Sequence, residues 1–445
     1  MLLNIGALLW IGCSGGTTDK DGSPEQPDDT GEGLSIAPQR FAGAAYYAGD
    51  PHAHTGYSGD ASATDPELCP ACGGFDDVFT TAVAAGLSWV ALSDHVNGYP
   101  ATTPAGFTDE LSAVLAAHDP AHGFLTIPSA EVWFQAGDHD LGHKTLLLFG
   151  EDATLAGLSL TDVQPTGDAE ADIGDCEAIW SWAESLEARF GPLLLVPHHP
   201  AGKQPMPTDW TCADSTWQPV VEVYSEHGSA LEDGSGFDPP WAGTVERGTV
   251  EVALDPDGLA LKMGFIGGTD SHDTLPGGVC GEDLVRLDQP YGGGLTVAVL
   301  PEDQDWDRSA LLGAFQDRSV YATSGPLLPL SVSWLTPDVA LGGLGEDLEV
   351  PPDQDLTLLL AVPTEDAALV DAVTAVGPAQ SFAATSSAEG VWSVTVPYAE
   401  IPAWLYVAVT VDGAAWYAGL GCEDGGDSTT EWLWTSPSWI TLEEP

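Results

Sequence analysis

Basic residues are scarce in this chain. Lys and Arg number 10 against 68 Asp and Glu, for a net charge of −58. The phosphates of nucleic acids and of anionic membrane surfaces would be repelled, so both are poor partners. The same acidity favours hard or borderline cations. An apolar run able to cross a bilayer is also missing, since the one candidate, Leu2 to Ile11, is too short. A second C-x-x-C is absent, and no thioredoxin pattern surrounds Cys69-Pro-Ala-Cys72, so a local loop disulfide is its simplest reading. What is present excludes a mainly disordered chain: 445 residues, 43% hydrophobic, with 16 Trp, enough for two or three domains. The 34 Pro and 52 Gly argue against long helical bundles.

The first residues, MLLNIGALLWIGC, resemble a bacterial lipoprotein signal ending at Cys13, although no Lys or Arg precedes the apolar run. This predicts residues 1–13 as signal, 14–40 as an acidic disordered tether, and an exported, lipid-anchored protein in the periplasm or at the outer cell surface. Setting Cys13 aside leaves Cys69, Cys72, Cys176, Cys212, Cys280 and Cys422. An even count in an exported chain predicts disulfides, without fixing their pairing.

From 41 to 325 strand and helix patterns alternate. Helices are expected at Phe75 to Ala85, Asp109 to His118 and Cys176 to Phe190. Strands are expected at Leu87 to Leu92, Phe124 to Ile127, Lys144 to Phe149, Leu193 to Val196, Val220 to Tyr224 and Met263 to Ile266. Repeated βα units predict parallel strands in a doubly wound sheet or a barrel. From 326 to 445 the texture becomes short strands, among them Leu327 to Leu335, Leu356 to Val362, Val391 to Val396, Leu405 to Val411 and Glu431 to Ile440. These predict a small β-sandwich domain. Its tryptophans read as core rather than as a sugar platform.

The 11 histidines are not scattered. His52-Ala53-His54 puts two imidazoles on one face of a strand, because strand side chains alternate. Ser93-Asp94-His95, Glu131, His143, His198-His199, Glu226-His227 and Asp270-Ser271-His272 all lie at or beside expected strands. In a barrel the strand C-termini share one mouth, so these groups point to a common metal pocket. His118, His122 and His139 fall outside the pattern and read as ordinary residues.

The order H-x-H, T-x-x-S-x-D, S-D-H, Glu, His, His-Pro, D-x-H resembles the PHP (polymerase and histidinol phosphatase) superfamily. The likeness is greatest to an exported bacterial branch of unknown function, through GDPHAHTGYSGDA, VEVYSEHGSALE, GGTDSHDTLPG, RSVYATSGP and WTSPSWI, and it covers about 49–440. The resemblance implies a distorted (β/α)7 barrel with a multinuclear metal site. Carried over by motif, the ligands would be His52, His54, Asp60, His95, Glu131 as a bridge, His143, His199, Asp270 and His272, with His198 competing for the place of His199. Asp94 would orient a ligand, and Glu222 and His227 would line the pocket.

An N/O donor set without thiolate suits two to three divalent ions, Zn, Mn or Fe. The implied activity is metal-dependent hydrolysis, above all of phosphoesters, with a metal-bridging hydroxide as nucleophile. His227 is the first candidate for protonating the leaving group and His198 the second. Lys144 and Lys203 are the basic residues near the motifs and the candidates for a phosphate contact. The scarcity of basic residues leans towards diesters or small organophosphates, whose charge is lower, and the expected substrate is a small-molecule or oligomeric phosphoester. Two rivals stand. Amidohydrolases also begin with H-x-H, but they end on a lone Asp and often use a bridging lysine, for which no strand end here offers a residue. A non-catalytic surface protein could instead keep the metal for stability. The sequence contains no signal for oligomeric state.

Overall fold

The structure is a computed structural model that describes residues 36–58, 75–97, 102–136, 139–166, 175–203, 206–232, 243–272, 276–277, 293–415 and 430–443. Cys13, Asp60, Cys69, Cys72, Cys280 and Cys422 lie outside them.

Strands and helices alternate at first. β1 (Gln39–Phe41) and β2 (Ala44–Ala53) form a hairpin. α1 (Phe75–Ala84) leads to β3 (Trp89–Leu92), and α2 (Pro104–Ala117) to β4 (Leu125–Ala136). β5 (His139–Leu148) follows directly, then the short α3 (Asp152–Leu155) and α4 (Leu160–Val163). α5 (Cys176–Phe190) precedes β6 (Leu193–Pro197). Next come β7 (Val220–Ser225), β8 (Gly228–Ser229), α6 (Val250–Leu254) and β9 (Gly264–Gly267). β10 (Leu295–Pro301), α7 (Arg308–Gln316) and β11 (Val320–Thr323) end this half.

Strands then dominate: β12 (Ser331–Leu335), β13 (Ala340–Gly342), β14 (Asp347–Val350), β15 (Leu356–Ala361), β16 (Val370–Gly377) and β17 (Gln380–Ala383). They continue with β18 (Thr385–Ala388), β19 (Val391–Val396), β20 (Trp404–Asp412), β21 (Thr430–Thr435) and β22 (Ser438–Leu442).

Local chemistry explains the helix limits. In α5 the Asp175 side chain accepts from Ala178 N, Ile179, Ala183, Leu186 and Phe190 form the buried stripe, and Gly191 at φ 93° ends it. α2 begins five residues before the expected Asp109, because Thr103 caps it by accepting from Gly106 N and Pro104 presets its first turn.

The expected barrel does not form. An open 14-stranded mixed sheet dominates, with the path β14-β22-β20-β21-β11-β10-β2-β3-β4-β5-β6. β2, β3 and β4 run parallel, but β5 pairs antiparallel with both β4 and β6, and β10 antiparallel with β2 and β11. β7 and β9 are parallel in a separate three-stranded sheet with β8, and no barrel closes among the described residues. The reason lies at residues 137 and 138. Two residues cannot carry the crossover that parallel pairing needs, so β5 must turn back along β4.

The C-terminal strands are spread over two sheets. β21 hydrogen-bonds to β11 of the large sheet, while β13-β12-β15-β19-β18 form a five-stranded sheet. That sheet shares a core with the large one: Trp334, Leu358 and Leu360 cluster with Val373, Leu405 and Val409.

Candidate metal centre

The centre is assembled from side chains two residues apart. On β2 and the residues after it, Asp50, His52 and His54 alternate with Pro51 and Ala53. Backbone bonds tie this segment to the loop after β9: His54 N donates to Ser271 O (2.8 Å) and Asp270 N to His52 O (2.8 Å). Asp50, wholly buried, accepts from His52 N (3.1 Å), Thr269 N (3.0 Å), Thr269 Oγ1 (2.6 Å) and Gly277 N (3.2 Å). It latches the two ligand-bearing segments together. Asp270 (φ 53°) and His199 (φ 30°) sit in the left-handed region, a strain of about 1–3 kcal/mol each that the surrounding contacts must hold.

Glu131 is the hub. Its Oε2 lies 3.3 Å from His52 Nε2, 3.1 Å from His54 Nε2 and 3.3 Å from His95 Nδ1. Its Oε1 lies 2.8 Å from His143 Nδ1 and 3.2 Å from His198 Nε2, and accepts from Trp133 Nε1 (2.6 Å). The strand pairing explains this. Glu131 faces Thr145 and Trp133 faces His143 across the β4–β5 ladder, and Trp133 stacks on His143 at 4.3 Å. Asp270 Oδ1 is 3.2 Å from both His52 Nε2 and His54 Nε2, and its Oδ2 is 3.0 Å from His227 Nε2.

These atoms form buried groups able to hold metal ions: Glu131, His143, His198 and His199; His54, His95 and His272; His52, His54, Glu131 and Asp270; and Glu226, His227 and His272. Within them, ring nitrogens of His143, His198 and His199 and both oxygens of Asp270 are buried without making a hydrogen bond. Close approach without hydrogen-bond alignment is what lone pairs aimed at a common centre produce, so the donors fit cations.

The electrostatics agree. Burial alone would raise Glu131 and Asp270, yet the surrounding imidazoles outweigh it and hold both carboxyls well below the usual range. Burial alone would lower His52, but Asp270, Glu131 and Glu222 raise it well above its ordinary value. Burial, then the charge of His52, pushes His198 down to about 3, which leaves it neutral near pH 7. Burial pushes Glu222 and Glu226 up to about 7.

The remaining candidates fall as follows. Glu222 Oε2 is 3.3 Å from His52 Nδ1. Asp94 accepts from Thr55 N (2.7 Å) and Thr55 Oγ1 (2.5 Å) and lies 3.9 Å from His54 Nδ1, an orienting position. Lys144 does not join the site. It pairs with Val132, on the opposite face from His143, and its Nζ donates to Leu141 O (2.8 Å). Burial pushes that amine down to about 7. Lys203 is exposed, beyond His199. Of the histidines set aside, His122 makes an exposed pair with Asp119 (2.6 Å), and His118 accepts a long bond from Thr126 N (3.4 Å). His139 opens β5.

The sequence reading missed Asp50, Trp133 and Thr145, and gave Ser58 and Glu226, both inside motifs it singled out, no role of their own. Ser58 Oγ bonds His54 Nδ1 (2.9 Å) and accepts from His95 N (3.0 Å), and Thr145 Oγ1 bonds His198 Nδ1 (3.2 Å). Asp50, Trp133 and Thr145 each stand two residues from a candidate ligand, a signal that was available. No protein-family model, curated protein or solved structure matches the chain.

Proposed function

We propose that this protein is an exported metal-dependent hydrolase, a phosphoesterase using two to three Zn, Mn or Fe ions. One observation carries the reading: one oxygen of Glu131 lies among His52, His54 and His95 and the other beside His143 and His198, as a carboxylate bridging two ions would. The resemblance of the ordered motif set to that of the PHP superfamily supports phosphoesters as the substrate class. The near absence of basic side chains supports diesters, which carry less charge.

His52, His54 and Asp270 with Glu131 would hold one ion. His143, His199 and His198 with the other oxygen of Glu131 would hold a second. His95 and His272, with Asp60 if it joins them, would hold a third. Bound ions would supply Lewis acidity and an activated water. Glu222 fixes the ring of His52 through Nδ1, and Asp94 holds Thr55 beside His54. His198, neutral and among ligands, suits metal binding better than proton donation. That leaves His227, beside Asp270, to deliver a proton to the leaving oxygen. The Cys176–Cys212 disulfide supports export, since such bonds persist outside the cytoplasm.

A structural metal site is favoured by one observation: every described candidate ligand is buried, none more than 8% exposed. The test separates the two readings. Elemental analysis of the mature chain should find two to three ions, reduced in a His52→Ala/His54→Ala variant. The loaded protein should cleave bis(p-nitrophenyl) phosphate. Metal without cleavage of diesters or monoesters would leave the structural reading, and no metal would end both.

A further inference from the structure

A cavity of about 590 Å³ is lined, among the described residues, by no histidine and no candidate metal ligand. Its wall follows from the strand period. Trp404 and Tyr406 stand two apart on β20, as do Trp432 and Trp434 on β21, so each pair projects from one face. Pairing of Ala408 with Trp434 and of Thr410 with Trp432 puts both pairs on the same face, with small side chains between them. The rings are nearly parallel within each pair, 6.2 Å and 17° apart for Trp404 and Tyr406, and 6.0 Å and 9° for Trp432 and Trp434.

Across the cleft, Val250 N donates to Ala230 O (3.0 Å) and Glu251 N to Leu231 O (3.1 Å), which sets Glu232 and Glu251 side by side. Their charges act on each other and on the aromatic wall. Glu232 is raised by burial and then by Glu251, and Tyr406 is raised by burial and then by both carboxylates. Among the described residues, no lysine or arginine lines the cavity. Two carboxylates without a cation, facing aromatic rings, favour a ligand that brings positive charge on an apolar body. The carboxylates take the charge and the aromatic wall takes the apolar body. A neutral sugar would use the rings but would leave the mutual repulsion of Glu232 and Glu251 in place.

We propose that the cleft between Glu232, Glu251 and the Trp404, Tyr406, Trp432 and Trp434 wall is a binding site for a small quaternary-ammonium ligand. This site stands independently of the metal chemistry. The test is calorimetric titration of the mature chain, at low salt, with choline, with its neutral isostere 3,3-dimethylbutan-1-ol, and with methyl β-glucoside. Choline should bind at least about tenfold more tightly than the alcohol. A Glu232→Gln/Glu251→Gln variant, altered only at exposed positions, should keep its melting temperature and lose about tenfold in choline affinity. The proposal is overturned by equal binding of the alcohol, by preference for the glucoside, by no choline heat, or by an unchanged variant.

Discussion

Removing the metal should loosen the whole molecule, by an amount that can be worked out. The candidate ligands lie on or just after β2, β3, β4, β5, β6 and β9, so bound ions would join segments far apart in the chain. An ion that binds only the folded chain, present at about 1,000 times its Kd, adds about 4 kcal/mol. For 445 residues at about 2.1 cal/mol/K each, the unfolding entropy is about 0.9 kcal/mol/K. Each ion is then worth about 4–5 °C in Tm, and two to three ions about 9–13 °C. The metal-free basin carries a further cost, because the oxygens of Asp270 and the ring nitrogens of His143 and His199 stay buried without hydrogen bonds. The assay is differential scanning calorimetry on protein as purified, after dialysis against dipicolinate, and after reloading, with metal content measured on each sample. A demonstrated loss of two or more ions that moves Tm by less than about 1 °C would refute the reasoning. Uptake should also release protons, since His52 is held protonated by the carboxylates that would receive the cation, so affinity should fall as pH is lowered.

Other expectations follow from single contacts. Glu131→Gln keeps the shape but removes the shared charge, so elemental analysis should show a larger metal loss than in either His54→Ala or His143→Ala; equal losses would argue against a bridging role. Asp50→Ala strips the acceptor from three backbone N–H groups and a hydroxyl, and should cost about 3–6 kcal/mol in urea unfolding and lower metal content as well. The Cys176–Cys212 bond spans 36 residues, so its double serine variant should lose about 4 kcal/mol on the chain-entropy estimate; an unchanged urea midpoint would contradict it. Burial raises Tyr46 from 10.0 to about 12, so its contribution is whole below the unfolded pKa and is lost as pH rises through the folded one. That loss is about 3 kcal/mol. Tyr46→Phe should flatten this alkaline decline while giving up the bond to Leu330 O, and parallel pH–stability curves for the two proteins would show the assignment wrong.

Much of the centre was legible because its signal is local. His52-x-His54 and Asp270-x-His272 depend only on alternation near a strand end, and α5 has the expected span from Cys176 to Phe190, with Gly191 ending it. The long-range pairing was not. Nothing local says that β11 will take β21 as its neighbour, or that the strand begun at Leu125 runs on to Ala136. That extension decided the sheet, because it left residues 137 and 138 as the whole link to β5 and forced an antiparallel return. Lys144 marks a different failure. The alternation that joins His52 to His54 also sets Lys144 opposite His143, so the period already excluded it, and nearness in sequence was weighed over direction. The ligands still meet without a barrel mouth. In a parallel barrel they would converge because every strand ends at one rim, and Glu131 and His143 would each have to stand at a strand terminus. In this sheet both lie mid-strand on a hairpin, and the β4–β5 register brings His143 to Glu131 while the parallel run of β2 and β3 beside β4 brings His52, His54 and His95. Register therefore sets the proximity of His143 to Glu131, while His54, His95, His198, His199, Asp270 and His272 still gather from just past the ends of their strands. A change that shifted the β4–β5 pairing by one residue would turn His143 away from Glu131 and should lose the ion that His143 would hold while sparing the one that His95 and His272 would hold.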